Sequence, residues 1–394
     1  MTQKVLRTYF SFVFLFELAM SFPFSVYVLF LLSQKMNLFQ VSLVNMVFMS
    51  ASFLLEIPTG AFADTLGRKF SFVVSCIVIS IAFFVYFLSH SFWQFILAEL
   101  IAALGIAFHS GAFQSWVVDS LKHYNYQGSM EKVFSREEQV RIIALIIGPL
   151  IGGFAGQYNL ALPWLMSAIG MLIVGIVAYF VMKEPYFDRK SFGIKKIITE
   201  MKSVAVDSFA YGLKNKIVFT IVCFSAIQAF CVQSPNMYWQ PGFAKLSTGT
   251  STMGWLFMFF ALATIIGNKI AVWIMKVFKD GKIGLVISQF VVGSGLIVAS
   301  VSSSFYLVLM PFLVHEAGRG IYMPIKSKYL NEHIPSKQRA TVISFDAMFF
   351  KIGSALGLLV MGLVAKNISI PFAWLISGAI LILGTSILYL KRRG

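Results

Sequence analysis

Apolar residues in this chain come in runs too long for any soluble element, and short polar stretches separate them. Twelve runs can be read, at 8–32, 40–62, 70–89, 92–118, 138–158, 162–182, 217–239, 252–275, 283–303, 305–325, 340–364 and 371–390. Each is close to the ~20 residues a helix needs to cross the hydrocarbon core of a bilayer. Backbone polar groups in lipid must bond within their own segment, so these continuous runs predict helices. A β-barrel would require period-two alternation, which the runs lack. The longest polar interruption divides the runs six and six. The expected architecture is all-α, with two pseudo-symmetric six-helix bundles (1–182 and 217–394) joined by a linker at 183–216. Within the linker, Ile194, Ile197, Ile198, Met201 and Val204 recur at helical spacing beside Lys195, Lys196 and Lys202, which predicts an amphipathic helix on the membrane surface. Two related halves of this kind suggest inverted three-helix units with a solute site between the bundles. Residue-level duplication between the halves is not visible.

Composition agrees with a membrane setting: 58% of residues are hydrophobic and 12% charged. Too few charges remain to coat a soluble fold of this size. The net charge of +16 raises the question of nucleic acid. Its distribution answers it, because Lys35, Lys245 and Lys366 lie in loops of one side, Lys269, Arg319 and Lys351 fall within runs, and the other basic residues gather on the opposite side. That asymmetry makes the opposite side cytoplasmic, with both termini inside, and leaves no need for a nucleic-acid partner. The first run is too long for a cleavable signal core. Tryptophans near the predicted ends read as aromatic belts. Cys76, Cys223 and Cys231 all sit in apolar runs and suggest neither a disulfide framework nor a zinc site.

The most specific motif lies between the second and third runs, Gly60-Ala-Phe-Ala-Asp64-Thr-Leu-Gly67-Arg68-Lys69. Gly60 would allow two helices to approach closely and Gly67 a tight turn. Asp64 is suited to cap a helix N-terminus, and Arg68 to pair with an acid on another helix. The pattern resembles the G-x-x-x-D-x-x-G-R-[KR] loop of major facilitator superfamily transporters. That resemblance implies the major facilitator fold and a cytoplasmic gate. It assigns Asp119, at the inner end of span four, as the partner of Arg68, and the start of span eleven near 336–339 as the end capped by Asp64. Glu56, just before Ile-Pro58-Thr-Gly60, would help position the gate. In span five, Gly148-Pro149-Leu-Ile-Gly152-Gly153 is similar to the family's antiporter motif, with Ala144 where the pattern has its first glycine. Clustered glycines and a proline make a bendable, closely packing helix. Departing from many proton-coupled members, Ile101 stands four residues before Gly105, where they carry arginine, and Glu99 lies nearby.

Proton coupling must then rest on other ionisable residues at depth, where charge is costly and usually functional. Glu17 and Glu316 are deepest, one in each half. Glu99 lies in the outer third of span four and Asp346 in the inner third of span eleven. Arg319 and Lys351 are the expected cationic partners in the second half. Gln228, Gln233, Asn236 and Gln240 form either a stripe toward a cavity or a hydrogen-bonding seam. His109 and His315 read as packing residues, since no metal-ligand spacing occurs. The expectation is a monomeric, multi-pass secondary transporter of a bacterial inner membrane that needs no cofactor. It would exchange protons for amphipathic small molecules, as the family's drug exporters do, and a nutrient importer or lipid translocator is the alternative. An embedded enzyme is disfavoured by short loops and by the lack of H-E-x-x-H, G-x-S-x-G or nucleotide-binding glycine patterns.

Overall fold

A computed structural model describes residues 1–187, 215–247, 249–278, 280–334 and 339–390. Among the described residues all longer elements are α-helices: α1 (Thr2–Ser21), α2 (Tyr27–Ser33), α3 (Leu38–Leu66), α4 (Arg68–Leu88), α5 (Phe92–His109), α6 (Ala112–His123), α7 (Met130–Tyr158), α8 (Leu162–Val181), α9 (Lys216–Cys231), α10 (Gln233–Ala244), α11 (Ser251–Phe278), α12 (Gly281–Ser300), α13 (Phe305–His333), α14 (Arg339–Asn367) and α15 (Ile370–Leu390). These helices build the twelve expected spans. Among the described residues, 11 segments are long and apolar enough to cross a membrane by themselves. The remaining span is α13, 29 residues long, whose apolar run is interrupted by His315, Glu316 and Arg319. The surface helix expected around Ile194–Val204 lies outside the described residues.

Three spans expected to be single helices are each built from two pieces. A 3₁₀ turn at Phe22–Ser25, with Pro23 inside it, separates α1 from α2. Proline lacks the amide hydrogen that a continuous helix would use there. Span four breaks at Gly111, whose φ of +72° is left-handed and favours glycine. Val232 separates α9 from α10.

The chain divides into two compact units, Met1–Gln34 with Val47–Thr199 and Gly249–Met258, and Lys35–Met46 with Glu200–Thr248 and Phe259–Gly394. In the first, α1 packs on α7 and α8 while α4 packs on α5 and α8. In the second, α9 packs on α14 and α15 while α12 packs on α13 and α15. The partners correspond six spans apart, so the repeat that residues conceal is present in packing. Phe16, Phe72, Phe113 and His109 interlock in the first unit, with the Phe16 and His109 rings stacked 4.1 Å apart. The second has an aliphatic core around Val218, Ile221, Leu285 and Ile325, with Phe345 against it. Trp116, Trp164, Trp239 and Trp374, expected in belts, are instead buried among helices. Their indoles fill interhelical space, and dispersion is what holds helices together where lipid is as apolar as protein.

Candidate functional site

The motif between the second and third spans forms a compact polar junction in the first unit. Gly67 alone separates α3 from α4, at φ +103°. A Cβ there would stand 2.9 Å from Glu184 Oε2. The backbone amides of Arg68 and Lys69 both donate to the Glu184 carboxylate at 3.0 Å. This is an anion held on the free amides of a helix N-terminus. Arg68 Nε reaches Asp119 Oδ2 at 2.9 Å, so the structure brings together the two residues the family pattern pairs. The Lys69 ammonium lies 5.1 Å from the centre of the Tyr179 ring.

The segment after α8 is fastened to α6 at the same place. Trp116 Nε1 donates to the Lys183 carbonyl at 3.0 Å. Tyr186 donates to the Trp116 carbonyl at 3.1 Å and receives the Ser120 hydroxyl at 2.7 Å. Burial pushes the Tyr186 phenol up, so it serves as a neutral donor. Sequence reasoning missed Glu184 and Tyr186, whose only signal is a polar Lys-Glu-Pro-Tyr stretch closing an apolar run. The close helix approach expected at Gly60 is not seen among the described residues, where an added Cβ would meet no atom within 4 Å. Glu56 and Asp64 lie on α3, but their side chains, and the capping expected of Asp64, fall outside what is described.

On α7 the glycines are contact points. An added Cβ would strike the Ser21 hydroxyl at Gly148 and the Phe22 carbonyl at Gly152. At Gly153 it would come within 2.9 Å of the Gly254 nitrogen on α11. The Pro149 carbonyl accepts the Ser25 hydroxyl at 2.7 Å. The break in span one is thus seated directly on the glycine face of α7. Ala144 is fully buried, so a methyl fits where the family pattern has glycine.

The deep acids separate into distinct settings. Half-buried Glu17 on α1 feels Arg141, Glu138 and Glu137 of α7. Arg141 also holds Glu138 through two hydrogen bonds of 2.6 and 2.9 Å, and Gln114 donates to Glu137 at 2.9 Å. The predicted fifth span, 138–158, contains Glu138 and Arg141, but sequence alone did not connect them with Glu17. Glu99 lies elsewhere in the unit, buried, accepting the Tyr27 hydroxyl at 2.8 Å and the Tyr86 hydroxyl. Trp164 stacks on Tyr86 at 4.0 Å.

In the second unit, buried Glu316 accepts Arg319 Nη1 at 2.9 and 3.2 Å, with Thr264 of α11 3.5 Å away. Asp346 corrects another expectation. Its partner is neither Arg319 nor Lys351 but Lys326 of α13, at 2.6 Å. The predicted tenth span stopped one residue short of Lys326, whereas α13 continues to His333 and carries the ammonium into the helix interface. Lys351 sits half-buried further along α14. Of the polar residues on span seven, Gln228, Gln233 and Gln240 are buried, and Gln233 bonds the Ala229 carbonyl of its own span.

The sequence model of the Major Facilitator Superfamily matches residues 9–245 and again 222–394, which together cover nearly the whole chain. The protein belongs to the Major Facilitator Superfamily. It is 25% identical to an uncharacterized MFS-type transporter, YxaM, of Bacillus subtilis, over 95% of this chain and 93% of that one. It is 19% identical to multidrug resistance protein 1 of the same organism, over 79% and 77% of the two chains. Among solved structures, the nucleoside transporter NupG superposes with a TM-score of 0.80 at 13% identity, over 99% of both chains, a likeness of fold. This superfamily member is a multi-pass membrane transporter.

Proposed function

We propose that the protein is a proton-coupled exporter of amphipathic small molecules, working by alternating access. The observation that carries the proposal is the buried Glu316 carboxylate held by Arg319 in the second unit, with Glu17 of the first unit lying in the field of Arg141. A carboxylate in so dry a place exchanges its arginine for a proton at little net cost, because either one removes the buried charge. Each exchange frees a cation and changes what the site binds, which is the differential affinity that coupled transport requires. Export is supported by the likeness to multidrug resistance protein 1 and by the glycine–proline pattern of α7. The Arg68–Asp119 pair, with Glu184 beneath it, is the inner gate in this reading. The chain would act as a monomer in a bacterial inner membrane with both termini in the cytoplasm.

The test uses sealed proteoliposomes, with ethidium as a lipophilic cationic probe. An imposed pH gradient should drive ethidium across wild-type vesicles. Neutralising both acids (Glu17→Gln with Glu316→Gln) should lower that flux at least about tenfold, ~1.4 kcal/mol of coupling, while ethidium counterflow persists. Flux indifferent to the gradient and to both substitutions would remove proton coupling. Accumulation inside energised cells would make the protein an importer.

A further inference from the structure

The imidazole of His315 is fully buried on α13, and its two nitrogens face different partners. Nδ1 lies 3.3 Å from the Val292 carbonyl of α12. A carbonyl oxygen only accepts, so Nδ1 must carry the hydrogen of that bond. Nε2 then presents a lone pair. It is buried, has no hydrogen-bond partner, and lies 3.8 Å from Glu316 Oε1. Two acceptors face each other out of water just beyond hydrogen-bond reach, and a single proton between them would draw them together into a hydrogen bond. Arg319 Nη1 holds that same oxygen, Oε1, at 2.9 Å and Oε2 at 3.2 Å, and its side chain is 31% exposed against 9% for Glu316.

We propose that His315 and Glu316 form a single-proton site, and that the proton competes with Arg319 for the Glu316 carboxylate. When the proton arrives on Oε1, the O–H donates to His315 Nε2 and the charge that held Arg319 is gone. When it leaves, the carboxylate returns to Arg319 and Nε2 is bare again. One proton is bound or released and no other bond changes. His315 is thereby a positioning residue for the proton, which replaces the packing role assigned to it from sequence.

Among the described residues, the nearest titratable group that the other elements bring is the Cys231 thiol of α9, which packs with Val292. The helix α12 offers the Val292 carbonyl, with its only charge, Lys282, at its start. Thr264 is what α11 brings to Glu316, and its Lys269 and Lys276 lie further along the helix. Phe312 lies between the imidazole and Trp374 of α15, whose ionisable residue among those described is Tyr389 at its far end. The proton site stands on this geometry alone. Its part in coupling rests on the transport reading above.

Nitrogen NMR of ¹⁵N-histidine-labelled full-length protein in nanodiscs tests the site without any substrate. The His315 signals are assigned by their loss in His315→Asn. The expected tautomer is Nδ1–H, and Glu316→Gln, which replaces the proton with an amide that can donate permanently, should move the Nε2 resonance. Arg319→Gln, which removes the competitor, should move Nε2 further toward a hydrogen-bonded nitrogen. If Glu316→Gln does not fold, Arg319→Gln decides the question alone. An Nε2–H tautomer, or an Nε2 resonance unmoved in the folded variants, overturns the proposal. Because no transport is measured, that outcome stays separate from failure of the exporter reading.

Discussion

Each unit has an ion pair between helices, and the two pairs use the same chemistry in opposite surroundings. Arg68 and Asp119 meet at 2.9 Å with side chains 26% and 32% exposed. Lys326 and Asp346 meet at 2.6 Å with exposures of 7% and 13%. Water can replace either partner in the first pair when it opens. In the second, opening leaves a charge stranded among Tyr322, Phe350 and the aliphatic core. The first pair is thus suited to opening and closing in every cycle. The second holds α13 to α14, and its net contribution is small compared with the penalty for breaking it. An interhelical salt bridge is a moving part or a fastener according to its access to water.

The contrast is tested first where the effect is largest. Lys326→Ala should destabilise the protein by about 3–5 kcal/mol, because Asp346 stays buried without its cation. Thermal unfolding in detergent would measure this, and adding Asp346→Leu should recover most of the loss. If the double variant is no more stable than the single one, the pair is not the fastener described. Gly67→Ala should cost about 1–3 kcal/mol, since φ of +103° suits glycine and the new methyl meets Glu184. Adding Glu184→Ala would relieve only the contact. The smallest change in stability is expected for Arg68→Ala, below about 1 kcal/mol. Its transport rate should nonetheless change at least about fivefold, and the charge swap Arg68→Asp with Asp119→Arg should restore it. A variant as unstable as Lys326→Ala would erase the distinction between the two pairs.

The fold was legible because lipid leaves a helical span few alternatives, so apolar run length and loop charge define it. Features depending on a local break were less legible. Span one reads as a continuous run, yet Pro23 divides it, and Gly111 divides span four. Arg68 and Asp119 were readable because the family motif names both. Lys326 was not, because hydropathy trims a helix at a charge and assigns that charge to the loop. In this molecule that trimmed turn carries the partner of Asp346. Glu184 was hidden for a related reason, since its bonds go to backbone amides, which have no residue signature. His315 reads as packing from sequence, because a lone histidine at depth is ordinarily that, and the proposed single-proton site departs from this reading. That site rests on the different surroundings of its nitrogens, Nδ1 bonded to Val292 and Nε2 facing Glu316.

The turn at Phe22–Ser25 makes the first span a jointed lever. Its short upper stub begins at Tyr27, which Glu99 ties to α5 and, through Tyr86, to α4. The joint itself is pinned to α7 by Ser25. Any tilt of the long rod against α7 and α8 would be taken up at this joint, while the stub is held by its own bonds. Glu17 lies on the long rod, across the joint from Tyr27.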